Sequence, residues 1–336
     1  MNDKETDKTS LIKIQYKRPY IAYPTIILHY LALCGSLISL ILGTSKMLLN
    51  TTAFELLEIN TTNWYIKIPL TIFCLLLSTV SSYTQFTIAH DAIHRSVSKN
   101  KYLNDTIGHL AQFWLGPTSN YYALKYNHLN HHAYTNDIQK DPDIWCSSNG
   151  YGGRIFLPLR WATMDFPYWK DYIKNILSRP LFEIILLIIN ITLMTTIILI
   201  SIKYQVFYIL FQYWILPGRI ALFLLAYVFD YLPHDPHLIN KKTNQYQTTT
   251  YLDIHWSLRP IISIIIFYQN YHIIHHMYPY IPFYKYEYYW RKLSFQLINE
   301  KNVKIKKVFP FLNEVDVLLD KGYKHILHNN DTFFDD

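Results

Sequence analysis

Residues 181–200 read LFEIILLIINITLMTTIILI, a run with a single acidic residue and no polar face to turn toward water. A helix that is apolar all round is stable only in a deep core or in lipid, and a bilayer takes about 20 apolar residues to cross. Three more stretches share this character. Four spans are therefore expected, at roughly residues 21–43, 67–89, 181–202 and 206–230, and their connections group them into two helical hairpins. The fold class that follows is an all-α integral membrane protein.

Charge placement orients it. Charged residues are 16 % of the chain, against about 25 % for soluble proteins. The net charge of +7 alone would suit nucleic acid, but its distribution suits a membrane. Residues 1–20 hold five Lys/Arg, residues 90–180 hold ten, and residues beyond 230 hold twelve. Lys46, Lys67 and Lys203 are all that flank the hairpin loops. The positive-inside rule then puts both termini and the middle connection in the cytoplasm. Three regions result: a cytoplasmic segment 1–20, a membrane domain 21–294 and a polar tail 295–336, where NEKNVKIKK reads as solvated or docked on lipid headgroups. The mixed charge of the first residues predicts no cleavable signal. Asp3, Glu5 and Asp7 argue against a plastid transit peptide, so the endoplasmic reticulum is expected in a eukaryotic host. Cys34, Cys74 and Cys146 form no disulfide framework. Arg219 falls inside the fourth span, three turns from Asp230, and is expected to snorkel past a kink at Pro217.

Eight of the fifteen histidines fall in three clusters: HDAIH (His90, His94), HLNHH (His128, His131, His132) and HIIHH (His272, His275, His276). FDYLPHDPH adds His234 and His237 where the fourth span ends. Helical spacing of i, i+3 and i+4 predicts that each cluster shares one face, and the topology puts every cluster on the cytoplasmic edge. Gathered imidazoles repel when protonated but coexist when neutral and bound to metal, and this many ligands calls for two ions. Ligating rings need acceptors for their second N–H, and Asp91, Asp137, Asp141, Asp143 and Asn270 stand close by in sequence. His29, His109, His255, His325 and His328 read as ordinary satisfied residues. HDAIH has the spacing of a zinc-protease HExxH, but Asp91 replaces the required Glu and the other clusters go unexplained. Transporter sites lie among polar residues near the midplane, and these spans show none apart from Arg219.

Paired apolar helices followed by HxxxH, HxxHH and HxxHH resemble the three histidine boxes of the membrane fatty acid desaturase and hydroxylase superfamily, over roughly residues 67–290. HHAYTNDIQKDPD (131–143) is similar to the segment after the second box. FDYLPHDPH and NYHIIHHMYPYIPFYKY are most similar to cyanobacterial-type β-carotene hydroxylases, departing at Asp235, where a basic residue is expected. The resemblance implies a cytoplasmic helical cap holding two iron ions on His90, His94, His128, His131, His132, His272, His275 and His276. His234 is implied as an additional ligand, His237 is the alternative, and Asn270 is implied to hold a metal-bound water. It also implies O2 as co-substrate and two external electrons, with hydroxylation of a lipid in the manner of a β-carotene hydroxylase expected first and desaturation of a fatty acyl chain or sterol as the alternative. The tyrosine and proline run after the third box is expected to lay aromatics at the membrane interface. No His-Pro-Gly-Gly stretch and no GxGxxG after a strand occur, so cytochrome b5 or ferredoxin is expected as a separate donor, with the basic face favouring an acidic protein. A non-catalytic, zinc-handling membrane protein is the remaining reading, and the completeness of the boxes counts against it.

Overall fold

The structure, a computed structural model, describes residues 14, 16–48, 64–148, 150 and 152–308; His325, His328 and most of both expected terminal segments lie outside these. In chain order the helices are α1 (Tyr23–Leu48), α2 (Trp64–Ile93), α3 (Lys101–Phe113), α4 (Tyr121–Tyr134), α5 (Leu157–Ala162), α6 (Asp165–Lys174), α7 (Leu181–Lys203), α8 (Phe207–His234), α9 (Arg259–Ile265), α10 (His272–Met277) and α11 (Tyr286–Asn299). Four of them contain stretches long and apolar enough to cross a membrane: Tyr23–Thr44, Ile68–Ile93, Leu181–Lys203 and Phe207–His234. α1 packs along α2, and α2 along α3 and α8. α7 turns nearly all of its surface outward, as its uniformly apolar sequence requires.

α8 is not a plain α-helix. It widens into π-helical turns at Phe211–Ile215 and Ala226–Tyr231, just ahead of Pro217 and Pro233. Proline lacks an N–H and its ring displaces the carbonyl four residues back. For Pro217 that carbonyl belongs to Tyr213, and it accepts from Ser78 Oγ instead. Arg219 does not snorkel. Its guanidinium pairs with Asp165 of α6 at 2.8 Å and donates to Thr118 Oγ1 at 2.5 Å. An arginine among apolar spans persists where it has such a partner.

α3 and α4 form a hairpin that packs against the spans. Asn100 caps α3 by accepting from the N–H groups of Tyr102 and Leu103, and Asn120 caps α4 through Ala123 N–H. The turn between them meets the middle of three spans. Ser82 of α2 donates to Trp114 O, Trp214 Nε1 of α8 to Phe113 O, and Asn120 Nδ2 reaches Asn190 Oδ1, midway along α7, at 3.5 Å. Trp169 Nε1 covers Thr118 O. A β-carbon on residue 218 would press into Leu115 O, so only glycine fits there. One expectation changes as a result: Arg219 is not alone among polar span residues, since Asn190 joins it.

The cap is not purely helical. β1 (Thr250–Asp253) and β2 (Lys304–Lys307) make a parallel two-stranded sheet, so part of the expected solvated tail is folded. Lys306 of β2 reaches Asp235 at 3.1 Å, so the departure at Asp235 is satisfied by this strand. The tyrosine and proline run is core rather than interfacial apron: Tyr278, Ile281, Phe283, Tyr286 and Tyr289 pack with Trp290 and Leu297. α9 is the element with an apolar outer face, exposing Ile261, Ile264 and Ile265 at helical spacing.

Candidate metal centre

Nine histidines converge beneath this cap. Eight are buried and His276 is partly so. They sort into two lobes by contacts between Nε2 atoms. In the first, His94 meets His128 at 2.8 Å, His128 meets His132 at 3.1 Å, His132 meets His275 at 2.8 Å, and His275 meets His90 at 3.0 Å. In the second, His131 meets His276 at 3.2 Å and His276 meets His272 at 3.0 Å, with the His234 ring 4.7 Å from His276 and 4.8 Å from His131. The lobes adjoin through the stacked rings of His132 and His276, 4.5 Å apart.

Helix geometry explains the sorting and refines the expectation that each cluster points one way. Positions i and i+4 lie about 40° apart around a helix axis, whereas i+3 and i+4 are separated by about 100°. His128 and His132 therefore serve the first lobe while His131 turns to the second. His272 and His276 serve the second while His275 turns to the first. Each HxxHH box divides between the lobes; HxxxH gives His90 and His94 to one.

The second ring nitrogens of four of these histidines have partners, while that of His90 is buried with none. His131 Nδ1–H donates to Asp141 Oδ1 at 2.9 Å, with Asp143 Oδ2 at 3.1 Å. Asp141 is itself fixed by the N–H groups of Asn136 and Asp143. His272 Nδ1 donates to Gln269 Oε1 at 2.6 Å and His234 Nδ1 to the Thr248 carbonyl at 3.2 Å. His275 Nδ1 meets Tyr286 OH at 2.9 Å. A proton on Nδ1 leaves a lone pair on Nε2, aimed inward.

A cation fits this donor set. A nitrogen carries one proton or one lone pair in the ring plane, so His132 Nε2 cannot make good hydrogen bonds to His128 and His275 together. Ligands about 2.0–2.1 Å from a metal stand about 3 Å apart at adjacent coordination sites, which is the spacing found. His234 Nε2 is buried with no protein partner, and so are both side-chain polar atoms of Asn270. Burial, then the neighbouring rings, holds His94, His128, His132, His275 and His276 well below the ordinary imidazole range, so they are neutral and free to ligate. Burial also opposes charge on His131, but Asp141 and Asp143 outweigh it and push that ring up to about 9.

The remaining sequence candidates divide. Asp141 and Asp143 meet a histidine. Asp91 is buried but accepts from Thr25 Oγ1 at 3.4 Å, and Asp137 accepts from Gln139 N–H in a surface turn; neither reaches a ring. His237 stacks on His234 at 5.8 Å, outside both lobes. His29 bonds Gln85, His109 packs on Tyr121 and Tyr122, and His255 bonds Ser257. Gln269, Thr248 and Tyr286 escaped the sequence reading. Only Gln269 carries a local signal, at i−3 from His272.

The sequence profile of the family described as Fatty acid desaturase matches residues 66–305, a stretch that contains all nine histidines. An omega-3 fatty acid desaturase of Caenorhabditis elegans is 34 % identical over 99 residues, covering 29 % of this chain and 21 % of the relative. An sn-1 oleoyl-lipid 12-desaturase of Anabaena variabilis is 28 % identical over 109 residues, covering 27 % of this chain and 31 % of the relative. A Delta(9) fatty acid conjugase-like enzyme of Dimorphotheca sinuata is 39 % identical over 54 residues, covering 16 % and 14 %. The matched stretches span less than a third of the length of these curated relatives.

Proposed function

We propose that this chain, which belongs to the fatty acid desaturase family, is a membrane oxidoreductase that desaturates a fatty acyl chain at a di-iron centre. The observation that carries the reading is the division of nine histidines into two adjoining lobes of converging rings. His90, His94, His128, His132 and His275 would hold one iron, and His131, His234, His272 and His276 the other. Bound there, the irons would supply the oxidising chemistry, drawing on O2 and two external electrons, that unactivated C–H bonds require and that acid–base side chains lack.

The chain's own residues position and shield. Asp141, Asp143, Gln269, the Thr248 carbonyl and Tyr286 orient the rings. Phe86 stacks on His90 with centroids 6.3 Å apart, and Phe229 meets the same ring edge-on at 5.8 Å. These aromatics put an apolar wall between the spans and the first lobe, against which an alkyl chain arriving from lipid would rest.

The names of the relatives favour an acyl substrate and desaturation. Resemblance of FDYLPHDPH to β-carotene hydroxylases supports a second reading, addition of a hydroxyl to a carotenoid on the same scaffold. Within either reading the membrane domain covers residues 21–294, the spans form two hairpins, and the centre and both termini face the cytoplasm, of the endoplasmic reticulum in a eukaryote. The donor is a separate acidic carrier of the cytochrome b5 or ferredoxin kind. Whole-lipid mass spectrometry of yeast producing this chain, with and without β-carotene, tests the choice. Acyl lipids lighter by two hydrogens, absent with His275→Ala, are expected. A carotenoid heavier by one oxygen would establish the hydroxylase reading, and no histidine-dependent product in an iron-loaded chain supplied with donor would defeat both.

A further inference from the structure

Between the α3–α4 hairpin, α6 and α8 lies a cavity that leaves about 50 Å³ for the centres of water-sized molecules. That is room for roughly three or four waters, each needing about 10–15 Å³. Arg219, Asp165 and Thr118 line it together with Phe86, Tyr168 and Asp230. No histidine lines it, but it reaches residues next to both lobes. Phe86 and Asp230 sit one turn before His90 and His234, and Tyr168 OH donates at 2.7 Å to Asp143, beside His131.

Its lining is mostly apolar but is interrupted by charged and polar groups. The Arg219–Asp165 pair keeps 32 % and 20 % of its side-chain surface accessible. Gln112, also on the wall, has its Oε1 buried with no protein partner. Buried polar groups in a space of this size are met by water.

We propose that this cavity is a hydrated chamber beneath the metal centre, through which water and protons pass between the centre and the Arg219–Asp165 pair. The role rests on the desaturase reading. Converting –CH2–CH2– to –CH=CH– with O2, two electrons from the external donor and two protons breaks two C–H bonds and the O–O bond. It forms one C=C bond and two water molecules, which hold the two substrate hydrogens and the two protons. Each turnover thus delivers two waters into a buried site and draws two protons from outside it.

Hydroxyl radicals generated by X-rays from bound water label the side chains beside that water, and three buried methionines make the test. Met164 lines the chamber, Met194 lies in α7 and Met277 in the cap core, with exposures of 3 %, 2 % and 5 %. In the full chain in lipid nanodiscs, with and without iron, Met164 is expected to oxidise about tenfold faster than the other two. Leu222→Phe and, separately, Ala226→Leu narrow the chamber and should bring Met164 down to their rate. Equal rates in the unaltered chain would overturn the chamber. The same variants should lose about tenfold in lipid product with iron content unchanged, and full turnover in a narrowed, dry cavity would overturn the role. A chain that labels at Met164 but makes no lipid product fails the desaturase reading, not the chamber.

Discussion

The two histidine lobes are built from the same ring yet backed differently. The five-histidine lobe is enclosed by neutral groups: Phe86 and Phe229 against His90, and Tyr286 behind His275. The four-histidine lobe is backed by two carboxylates on His131, an amide on His272 and a backbone carbonyl on His234. A carboxylate behind an imidazole raises its basicity and fixes its direction more firmly than a neutral partner does. The difference implies two metal positions of unequal character, one apolar and near the spans, the other anchored by charge.

The largest expected effect removes a ligand from either side. His275→Ala and His131→Ala should each abolish lipid product and lower the iron count from two toward one, with membrane insertion unchanged. Elemental analysis of purified protein checks this, and two irons retained by both variants would break the assignment of one ion to each lobe.

Asp141→Asn keeps the shape and removes the charge behind His131. It should weaken metal in the four-histidine lobe by roughly 10–100-fold, while Tyr286→Phe costs the other lobe only a few-fold. Stepwise loss of metal to a chelator measures both, and equal losses would erase the contrast.

Protons separate the lobes further. In the metal-free chain His131 stands at about 9 and holds a proton at neutral pH, whereas His94, His128, His132 and His275 do not. Metal binding at pH 7.5 should release about one proton from the four-histidine lobe and none from those four rings, read by titration in weak buffer. Stability of the metal-free fold has two signs. The stability contributed by His131 is full below its unfolded value near 6.5 and is lost as pH rises through about 9. The depressed rings act oppositely, since below about 6.5 only the unfolded chain takes up their protons, so stability falls with acid. A thermal midpoint that rises between pH 7 and 5.5 would contradict this.

The smallest effect expected is none. Asp137→Asn touches no ring and should leave iron content and product unchanged.

What could be read from sequence followed the range over which the forces act. The boxes were legible because helical spacing is local. The division of each box between lobes was latent in the same spacing, but a pattern treated as one face hides the 100° step between His131 and His132. Asp141 and Asp143 were legible as an acidic run ten residues past His131; Asp91 and Asp137 carried the same signal and turned elsewhere. Tyr286 and Thr248 were invisible because tertiary packing alone brings them to a ring. Arg219 was misjudged because its partner lies 54 residues away on α6. β2 went unseen because its lysines are indeed mostly exposed and only the distant β1 supplies it a ladder.

The α3–α4 hairpin carries a consequence for biogenesis. α4 contains Lys125, Asn127 and three histidines, a composition that would not partition into lipid by itself. The polar groups of its turn are met by Ser82, Trp214, Asn190 and Arg219. Three of these follow the hairpin in the chain, so its turn is fully met only once α7 and α8 have been made and packed. Because α4 brings three of the nine histidines, neither lobe is complete before that step.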